Sequence, residues 1–388
     1  MNIAFDAKRA YGNRTGLGNY SRGLIAALAE YYPEHAYYLM TPRVTGLFKP
    51  SGDARVIPVE PKKFPSTWFR SLWRSHWIKS DLARLNIGLY HGLSHEIPLG
   101  ISKTSVKSVV TIHDLIFERF PGLYSSVDVR VYRSKFRYAC ENADRIIAIS
   151  EQTRRDIVEF YQIAEDKIRV CYQSCDAAFG VRLSDDQLLA IRKKYQLPER
   201  FFLSVGALSE RKNVLNTLKA LRIARLSGLE VPLVIVGRGH EYKKLYQYAA
   251  DHDLSRLTRF LSYEPGASRE LNNSTDDLVA LYQLSSGLIY TSIFEGFGIP
   301  ILEAFNCHTP VIASNVSCMP ETGADAALYV DPGSPEELAE AMRLLLTDEN
   351  KVADCIEKGI RQARKFTPSR SARSVMEVYR ELAPEINC

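Results

Sequence analysis

FFLSVGALSERKNVLNTLKAL, residues 201–221, shows the unit from which the whole chain is built. An apolar run ends in a glycine turn at Gly206, and the start of a helix follows. Short apolar runs alternate with helical periodicity from one end of the chain to the other, which is the pattern of parallel α/β sheets. Thirteen runs are predicted to be strands: NIAF, YYLM, RVIPV, GLYHG, SVVTI, RIIAI and IRVCY in the first half, and FFLSVG, PLVIVG, TRFLS, GLIYTS, PVIAS and ALYV in the second.

The length of the chain predicts two domains of this kind. With 388 residues it exceeds what one hydrophobic core usually supports. We expect two doubly wound, Rossmann-like domains over residues 1–175 and 201–366, a polar linker over 176–200, and a C-terminal helix within 367–388. Open α/β sheets bind ligands at the carboxyl ends of their strands, so two such sheets facing each other would leave a cleft there.

Composition and charge exclude several classes of protein. The chain is 46% hydrophobic and 24% charged, as folded globular proteins are, and its net charge of +5 is too small for a dedicated nucleic-acid binder. Its seven cysteines form no CxxC pair, so neither a zinc site nor a disulfide framework is expected. The start, MNIAFDAKRA, lacks the apolar core of a signal peptide, and no apolar window is long enough to span a bilayer. We therefore expect a cytoplasmic protein that acts on anionic substrates or visits an anionic membrane surface.

Two cations follow the first strand of the second predicted domain. Arg211 and Lys212 stand at the start of a helix, where the helix dipole normally disfavours positive charge. A bound anion such as a diphosphate would offset this mismatch. The alternative interpretation is a solvated pair of surface cations.

The stretch SIFEGFGIPILEAF, residues 292–305, places Glu295 before a glycine-containing loop and Glu303 after it. Pro300 suits the first position of a helix, which puts Glu303 in the first turn. There its carboxylate could accept both hydroxyls of a ribose, although it could also merely complement the helix dipole. The loop between them could offer backbone N–H groups to phosphate oxygens from Gly296, Phe297, Gly298 and Ile299.

Two loops of the first predicted domain also follow strands. TGLGNYSRGL places Gly16 before a helix, where backbone N–H groups can meet a phosphate, although a simple glycine turn has the same pattern. VVTIHDLIFERF places His113 and Asp114 directly after a strand, and a histidine that caps a turn with its aspartate partner is the alternative to a functional role. No DxD motif follows a strand, so no metal site is predicted.

With these motifs together, the chain resembles the family-4 (group 1) retaining glycosyltransferases of the GT-B fold. The resemblance covers nearly the whole chain and is strongest in SVGALSERKNVLNTLKAL, in TIHDLIFERFP and in the segment with the paired glutamates. It implies that Glu303 binds the ribose of a nucleotide sugar and that Glu295 contacts the donor sugar. The first domain would hold the acceptor, the second would hold the donor, and the C-terminal helix would return to the first domain.

The resemblance also assigns roles to the remaining loops. Arg211 and Lys212 would bind the diphosphate of the donor. Gly16 would let the first loop approach the phosphates, and His113 would line the catalytic centre. For this family, retention is thought to proceed by same-face substitution through an oxocarbenium-like state, in which these cations and the loop N–H groups stabilise the leaving group without a metal.

The chain departs from the family pattern at three places. Many members have arginine where this chain has Ala207, so one phosphate contact would be lost. Many have glycine where His308 stands, and the first loop has Thr15 before Gly16 in place of a second glycine.

RTGLGNYSRGL together with TIHDLIFERFPGLYS looks most like bacterial mannosyltransferases of surface polysaccharide synthesis. This resemblance implies GDP-mannose as donor, no cofactor, and a glycan or lipid-linked glycan as acceptor; no nucleic-acid partner is expected. The alternatives are a UDP-sugar-dependent hexosyltransferase and a non-catalytic nucleotide-sugar-binding protein of the same fold.

An aromatic and basic stretch indicates how the protein could meet a membrane. FPSTWFRSLWRSHWIKSDLARL alternates apolar and cationic side chains, as interfacial helices do. We expect peripheral association with the inner face of the membrane. The alternative is that the tryptophans pack into the core while the arginines extend outwards. The side chains concerned are Trp68, Phe69, Leu72, Trp73, Trp77 and Ile78, with Arg70, Arg74 and Lys79.

Overall fold

The computed structural model describes residues 1–50, 55–62, 68–69, 72–264 and 275–383. The chain divides into two compact units. The first comprises Met1–Ser174 together with Thr367–Cys388, and the second comprises Cys175–Phe366.

The first unit is built on a parallel sheet whose seven described strands run in the order β3-β2-β1-β4-β5-β6-β7. The order reverses between β1 and β4, and doubly wound sheets bind ligands at such a reversal, beyond the carboxyl ends of the strands. The strands are β1 (Asn2–Asp6), β2 (Ala36–Met40), β3 (Val56–Val59), β4 (Leu89–Gly92), β5 (Lys107–Ile112), β6 (Arg145–Ala148) and β7 (Ile168–Val170).

Helices cover both faces of this sheet because its strands are apolar on both sides. Along β1, Ile3 and Phe5 belong to one core cluster and Ala4 to the other, as the alternation of a strand requires. The helices are α1 (Lys8–Gly12), α2 (Gly16–Tyr31), α3 (Ile78–Arg84), α4 (Ile116–Arg119), α5 (Ser126–Asn142) and α6 (Glu151–Tyr161), and a π-helical turn spans Trp73–Trp77.

The second unit contains a parallel sheet whose six described strands run in the order β10-β9-β8-β11-β12-β13. Here the order reverses between β8 and β11. The strands are β8 (Phe202–Val205), β9 (Leu233–Val236), β10 (Thr258–Phe260), β11 (Gly287–Tyr290), β12 (Val311–Ser314) and β13 (Ala327–Val330). Within the described residues, the predicted parallel α/β architecture and all thirteen predicted strands are therefore confirmed.

The helices of the second unit follow its strands and cover both faces of its sheet. In the described part of the chain they are α7 (Asp185–Lys194), α8 (Val214–Leu226), α9 (Tyr242–Asp251), α10 (Thr275–Leu284), α11 (Ile299–Asn306), α12 (Met319–Gly323), α13 (Pro335–Thr347) and α14 (Glu349–Ala363).

The stretch 176–200, which the sequence predicted to be a linker, is instead packed into the second unit. The Tyr195 hydroxyl donates to Asp277 at 2.5 Å, and the Lys194 ammonium lies 2.8 Å from the same carboxylate oxygen. Polar residues that would be solvated in a linker thus fasten α7 to α10, which the local composition does not reveal.

The C-terminal helix α15 (Pro368–Leu382) belongs to the first unit. Thr367 caps its N-terminus by accepting a hydrogen bond from the Arg370 N–H at 3.3 Å. The buried side chains of Val375, Met376 and Tyr379 join the same core cluster as β1 and α2.

The aromatic stretch predicted to meet a membrane is divided between core and surface. Trp73 is only 1% exposed, and its indole N–H donates to Asp81 at 2.8 Å. Arg74 also turns inward, where it pairs with Asp6 at 2.6 Å and with Glu96. Trp73 therefore follows the alternative in which a tryptophan packs into the core, whereas Arg74 does not extend outwards as that alternative expected.

The remaining apolar side chains of that stretch divide in the same way. Ile78 is buried, whereas Trp68 is 82% exposed and Phe69, Leu72 and Trp77 are exposed as well. Arg70 lies outside the described residues. None of the helices in the described part of the chain combines the length and apolarity that a bilayer crossing requires.

Candidate functional site

Two glycines bring the loops after β8 and β9 into contact. A Cβ on Gly237 would lie 1.7 Å from the Gly206 carbonyl oxygen, so only glycine fits there. The loop after β8 then forms a short turn over Glu210–Lys212 before α8 begins. Arg211 and Lys212 therefore lie in the turn that precedes the helix, at the carboxyl edge of the sheet.

Arg211 and Lys212 hold the carboxylate of Glu295 between them. Glu295 Oε1 lies 2.6 Å from Arg211 Nη1 and 2.7 Å from Lys212 Nζ. We refer to these three residues as the ion cluster. Burial alone would raise the pKa of Glu295, but the charges of Lys212 and Arg211 outweigh it and lower that pKa to about 2. Glu295 is therefore an anion at neutral pH, and the cluster carries one net positive charge.

Further contacts fix both cations. The Arg211 guanidinium also donates to the Phe294 carbonyl at 2.6 Å, and the Ile293 N–H donates to the Arg211 carbonyl at 2.8 Å. Lys212 donates to the Tyr290 hydroxyl at 3.0 Å. The loops after β8 and β11 are thereby joined, which prepares the cations in one place without help from a ligand.

Hydroxyl groups from the end of β12 and from the segment that follows it hold the carbonyl groups of the loop after β11. Ser314 donates to the Ser292 carbonyl at 2.6 Å, and Thr322 donates to the Phe297 carbonyl at 2.5 Å. Ser317 donates to the Glu295 carbonyl at 2.8 Å. These three donors were not predicted, because serine and threonine after a strand have no distinctive spacing.

Glu303 lies on α11, beyond that loop. The helix begins at Ile299 after Gly298 (φ 102°), with Pro300 in its second position, so Glu303 lies beyond the predicted first turn. The Tyr282 hydroxyl donates to Glu303 Oε2 at 2.7 Å. Burial raises the pKa of Glu303 to about 7, although the hydrogen bond from Tyr282 opposes this shift. Tyr282 was also not predicted, because it lies on a different helix.

His113 lies in the first unit, directly after β5. Its Nε2 lies 2.9 Å from the Leu93 carbonyl, which can only accept, so Nε2 carries the proton and Nδ1 is the acceptor. Burial lowers the pKa of His113 to about 4, so the ring is neutral at physiological pH. Tyr20 packs edge-on against it with ring centroids 4.6 Å apart.

Gly16 begins α2, the helix that also carries Tyr20. A Cβ at Gly16 would meet no atom within 4 Å, whereas a Cβ at Gly18 would lie 1.9 Å from the Asn13 carbonyl oxygen. Packing therefore requires glycine at position 18, and position 16 keeps its backbone open to approach. Arg22 fastens the loop by donating to the Ala10 and Asn13 carbonyls at 2.9 and 2.8 Å.

Two family models match this chain in succession. The model "Glycosyltransferase Family 4" matches residues 14–179, and the model "Glycosyl transferases group 1" matches residues 189–362. Between them the two models cover most of the chain, which belongs to the family 4 and group 1 glycosyltransferases.

Curated relatives of this glycosyltransferase include enzymes named for mannosyl transfer. O-antigen chain mannosyltransferase B of Escherichia coli is 27% identical over 297 residues, which cover 76% of this chain and 74% of the relative. The serotype-specific mannosyltransferase WbdA of Escherichia coli is 27% identical over 306 residues, which cover 75% of this chain but only 36% of WbdA. The chain thus spans about a third of the longer relative.

The fold of the glycosyltransferase is that of solved GT-B structures. Anabaena HepE in complex with UDP and glucose superposes with a TM-score of 0.73 at 17% identity, covering 97% of this chain and 98% of HepE.

The structure gathers most of the predicted site residues of this glycosyltransferase in its second unit. Arg211, Lys212 and Glu295 are in direct contact, and the loop of Gly296, Phe297, Gly298 and Ile299 connects them to Glu303. Gly16 and His113 form a separate group in the first unit, connected through Tyr20. Among the described residues, no three carboxylate, histidine or cysteine side chains come together as metal ligands would.

The structure also accounts for one departure from the family pattern. His308, where many members have glycine, has a φ of 57°, and the Arg182 guanidinium contacts its Nδ1. Glycine is favoured at such a backbone conformation. This preference explains why many members have glycine here, and it requires no role for this position in the site.

Proposed function

We propose that this glycosyltransferase transfers mannose from GDP-mannose, with retention of configuration, to a glycan or lipid-linked glycan of a bacterial surface polysaccharide. The observation that carries the proposal is the ion cluster of Arg211, Lys212 and Glu295 at the carboxyl edge of the second sheet. It offers two cations suited to a diphosphate and one carboxylate suited to sugar hydroxyls.

The proposed reaction exchanges one bond at the anomeric carbon of the donor. The bond from that carbon to the phosphate oxygen breaks while a bond to the acceptor oxygen forms on the same face. The acceptor hydroxyl gives its proton to the departing phosphate oxygen. Arg211 and Lys212 stabilise the negative charge that grows on the leaving group, so the proposal requires no metal.

The two carboxylates have different parts in this proposal. Glu295, ionised by its cationic neighbours, contacts hydroxyls of the donor sugar. Glu303 accepts hydrogen bonds from the ribose, with Tyr282 holding one of its oxygens in place. His113, neutral and with Nδ1 as an acceptor, orients a sugar hydroxyl and does not act as a general acid.

The names of the relatives support mannose as the transferred sugar. The leading alternative is a UDP-hexose donor, which the UDP and glucose bound in HepE favour. Transfer assays with GDP-mannose, UDP-glucose and UDP-galactose, with a lipid-linked oligosaccharide as acceptor, distinguish these donors. Product formed only from a UDP-sugar would replace GDP-mannose in the proposal.

Two further measurements test the mechanism. Proton NMR of the product should show the α-anomer from an α-linked donor, and an inverted product would contradict retention. Activity should survive EDTA, because fixed cations supply the charge stabilisation; its loss in EDTA and return with a divalent cation would contradict the metal-independent proposal.

A non-catalytic nucleotide-sugar-binding protein is the second candidate function. It would be stabilised by a sugar nucleotide in a thermal scan, since a ligand selective for the native state raises its stability. It would, however, produce neither transfer nor slow hydrolysis of radiolabelled GDP-mannose, whereas an enzyme should produce at least the hydrolysis.

We also propose that the first unit meets an anionic membrane surface. Trp68, Phe69, Leu72 and Trp77 are exposed in the stretch of chain that also contains Arg74. Arg74 pairs with Glu96, which also pairs with Lys135. Lys135 lies on α5 in line with the exposed side chains of Val127 and Val131. Aromatic side chains suit the headgroup region, and a half-exposed cation such as Lys135 attracts anionic lipid by about 1 kcal/mol.

Vesicle co-sedimentation at low and high salt tests this surface. The protein should bind vesicles containing phosphatidylglycerol more strongly than neutral ones, and salt should weaken the binding. Trp68→Ala should reduce it severalfold, whereas Leu226→Ala, which removes an exposed apolar side chain from the second unit, should not. Equal binding of both variants, or none by the wild type, would contradict a membrane role for these residues.

A further inference from the structure

Ser317 adopts a backbone conformation that normally favours glycine. It lies between β12 and α12 with a φ of 60°. A residue with a Cβ costs about 1–3 kcal/mol in such a conformation, whereas glycine adopts it without that penalty. A serine here therefore points to a use for its side chain.

The hydroxyl of Ser317 contacts both backbone groups of Glu295. It accepts a hydrogen bond from the Glu295 N–H at 3.2 Å and donates to the Glu295 carbonyl at 2.8 Å. The thiol of Cys318 donates to the same carbonyl at 3.2 Å. The N–H belongs to the peptide plane before the Glu295 Cα and the carbonyl to the plane after it. One hydroxyl therefore restrains φ and ψ of Glu295 together.

Restraining both planes sets the direction in which the Glu295 side chain leaves the backbone. The hydroxyls of Ser314 and Thr322 anchor the same loop at Ser292 and Phe297, which leaves the orientation at Glu295 itself to Ser317 and Cys318. Arg211 and Lys212 both come closest to the same carboxylate oxygen, Oε1, so the direction of Oε2 is left to the backbone of Glu295. Hydrogen bonds to sugar hydroxyls require a definite direction.

We propose that Ser317 is a positioning residue that orients the Glu295 carboxylate toward the donor sugar. The inference rests on the proposed function of Glu295. Without the hydroxyl, the ion cluster would still form, and the diphosphate would still find its cations. The transfer step would slow, because catalytic geometry tolerates displacements of only about 0.5 Å.

The test is Ser317→Gly, which removes the hydroxyl and the backbone strain together. We expect kcat to fall about tenfold or more, since small misplacements at a reacting centre carry such penalties. The dissociation constant of GDP should change less than about twofold, and the unfolding midpoint should not fall. Ser317→Ala, which loses the hydroxyl but keeps the strain, should show the same loss of kcat.

The matched control is Asp253→Gly, at an exposed position with a φ of 55° in the same unit. It relieves the same kind of strain and should leave kcat unchanged. In a Glu295→Ala background, Ser317→Gly should cause no further loss of kcat, because the side chain that it orients is already absent.

Three results would overturn the inference. They are an unchanged kcat in Ser317→Gly, a loss of GDP affinity as large as the loss of kcat, and a full additional loss of kcat in the Glu295→Ala background. A wild-type protein that binds GDP but transfers no sugar from any donor would instead refute the proposed function, and the role of Ser317 with it.

Discussion

Glu303 is a carboxyl group whose charge changes near neutral pH. Burial raises its pKa to about 7, well above the ordinary value for glutamate. Because the folded state holds this proton more tightly than the unfolded chain, Glu303 reduces stability progressively as the pH rises from about 4.5 to about 7. The form that accepts ribose hydroxyls most strongly, the carboxylate, predominates only above that range.

The affinity for GDP-mannose should therefore rise between pH 6 and pH 8. Both phosphates of this donor are diesters that stay ionised throughout, so a change in this range reports on the protein. Glu303→Gln should bind about tenfold more weakly at pH 8, since a hydrogen bond to a charged group contributes about 1.5–3 kcal/mol, and its affinity should vary little with pH. Calorimetric titration at several pH values measures both effects; an equal pH dependence in Glu303→Gln would contradict the assignment.

Lys212 should contribute to binding of the diphosphate but not of the nucleoside, so its contribution can be measured separately. Lys212→Ala should weaken GDP binding about tenfold or more while leaving guanosine binding nearly unchanged, because only GDP presents a diphosphate. Lys219→Ala is the matched control, since it removes the same charge from an exposed position on α8. Equal losses for GDP and guanosine would mean that Lys212 acts on the fold and not on the phosphates.

At the scale of elements, the contact between the loops after β8 and β9 fixes the position of the ion cluster. Gly237 meets the backbone of Gly206 directly, and Gly206 in turn lies against the Lys212 side chain. The spacing of these two loops is therefore determined by backbone contact and leaves no room for side chains.

Gly237→Ala should destabilise the second unit by about 3 kcal/mol, as an overpacked site does, and should weaken GDP binding. Gly228→Ala is the control: its φ is 85°, but a Cβ there meets no atom within 4 Å, so it should cost only about 1 kcal/mol. Chemical denaturation, monitored by hydrogen exchange in the second unit, measures the loss of stability in each variant. Similar losses would show that backbone conformation, and not the contact between the loops, limits position 237.

The elements were predictable from the sequence because their signals are local. Apolar runs such as LVIV of β9 and the proline of α11 determine strands and a helix start over a few residues. The contacts of Ser317 and Tyr282 could not be predicted in this way, since they join segments 22 and 21 residues apart in the chain. The prediction of a linker at 176–200 was wrong for the same reason: the polar residues of this stretch find partners on α10 that composition does not reveal.

At the scale of the whole molecule, the first unit is assembled from both ends of the chain. Its core includes β1 near the N-terminus and the buried face of α15 near the C-terminus. A buried hydrogen-bonded chain links α15 to β4 and β5: the Tyr379 hydroxyl lies 2.7 Å from His91 Nδ1, and His91 Nε2 lies 2.8 Å from the Thr111 hydroxyl. The stability of the first unit therefore depends on segments that are far apart in the sequence.

Met376→Ala should destabilise the first unit by about 2–5 kcal/mol, because it leaves a cavity in that core. Glu377→Ala, on the exposed face of the same helix, should change stability by less than about 0.5 kcal/mol. Hydrogen exchange should locate the loss of protection in β1, α2 and α15. Equal loss in the strands of the second unit would contradict the division of the core.

The ion cluster should bind the nucleotide-sugar donor and the nucleotide product with different affinities. In the proposed reaction, a departing GDP that occupies Arg211 and Lys212 would separate Glu295 from its counter-charges and offer it no hydroxyl in return, whereas intact GDP-mannose would bring a sugar to that carboxylate. The enzyme should consequently resist inhibition by its own product. Glu295→Gln removes the charge that is left uncompensated, so GDP should inhibit this variant at a lower concentration, relative to the KM for GDP-mannose, than it inhibits the wild type. The same carboxylate that contacts the incoming sugar would thus help to expel the spent nucleotide and make turnover less sensitive to accumulated GDP.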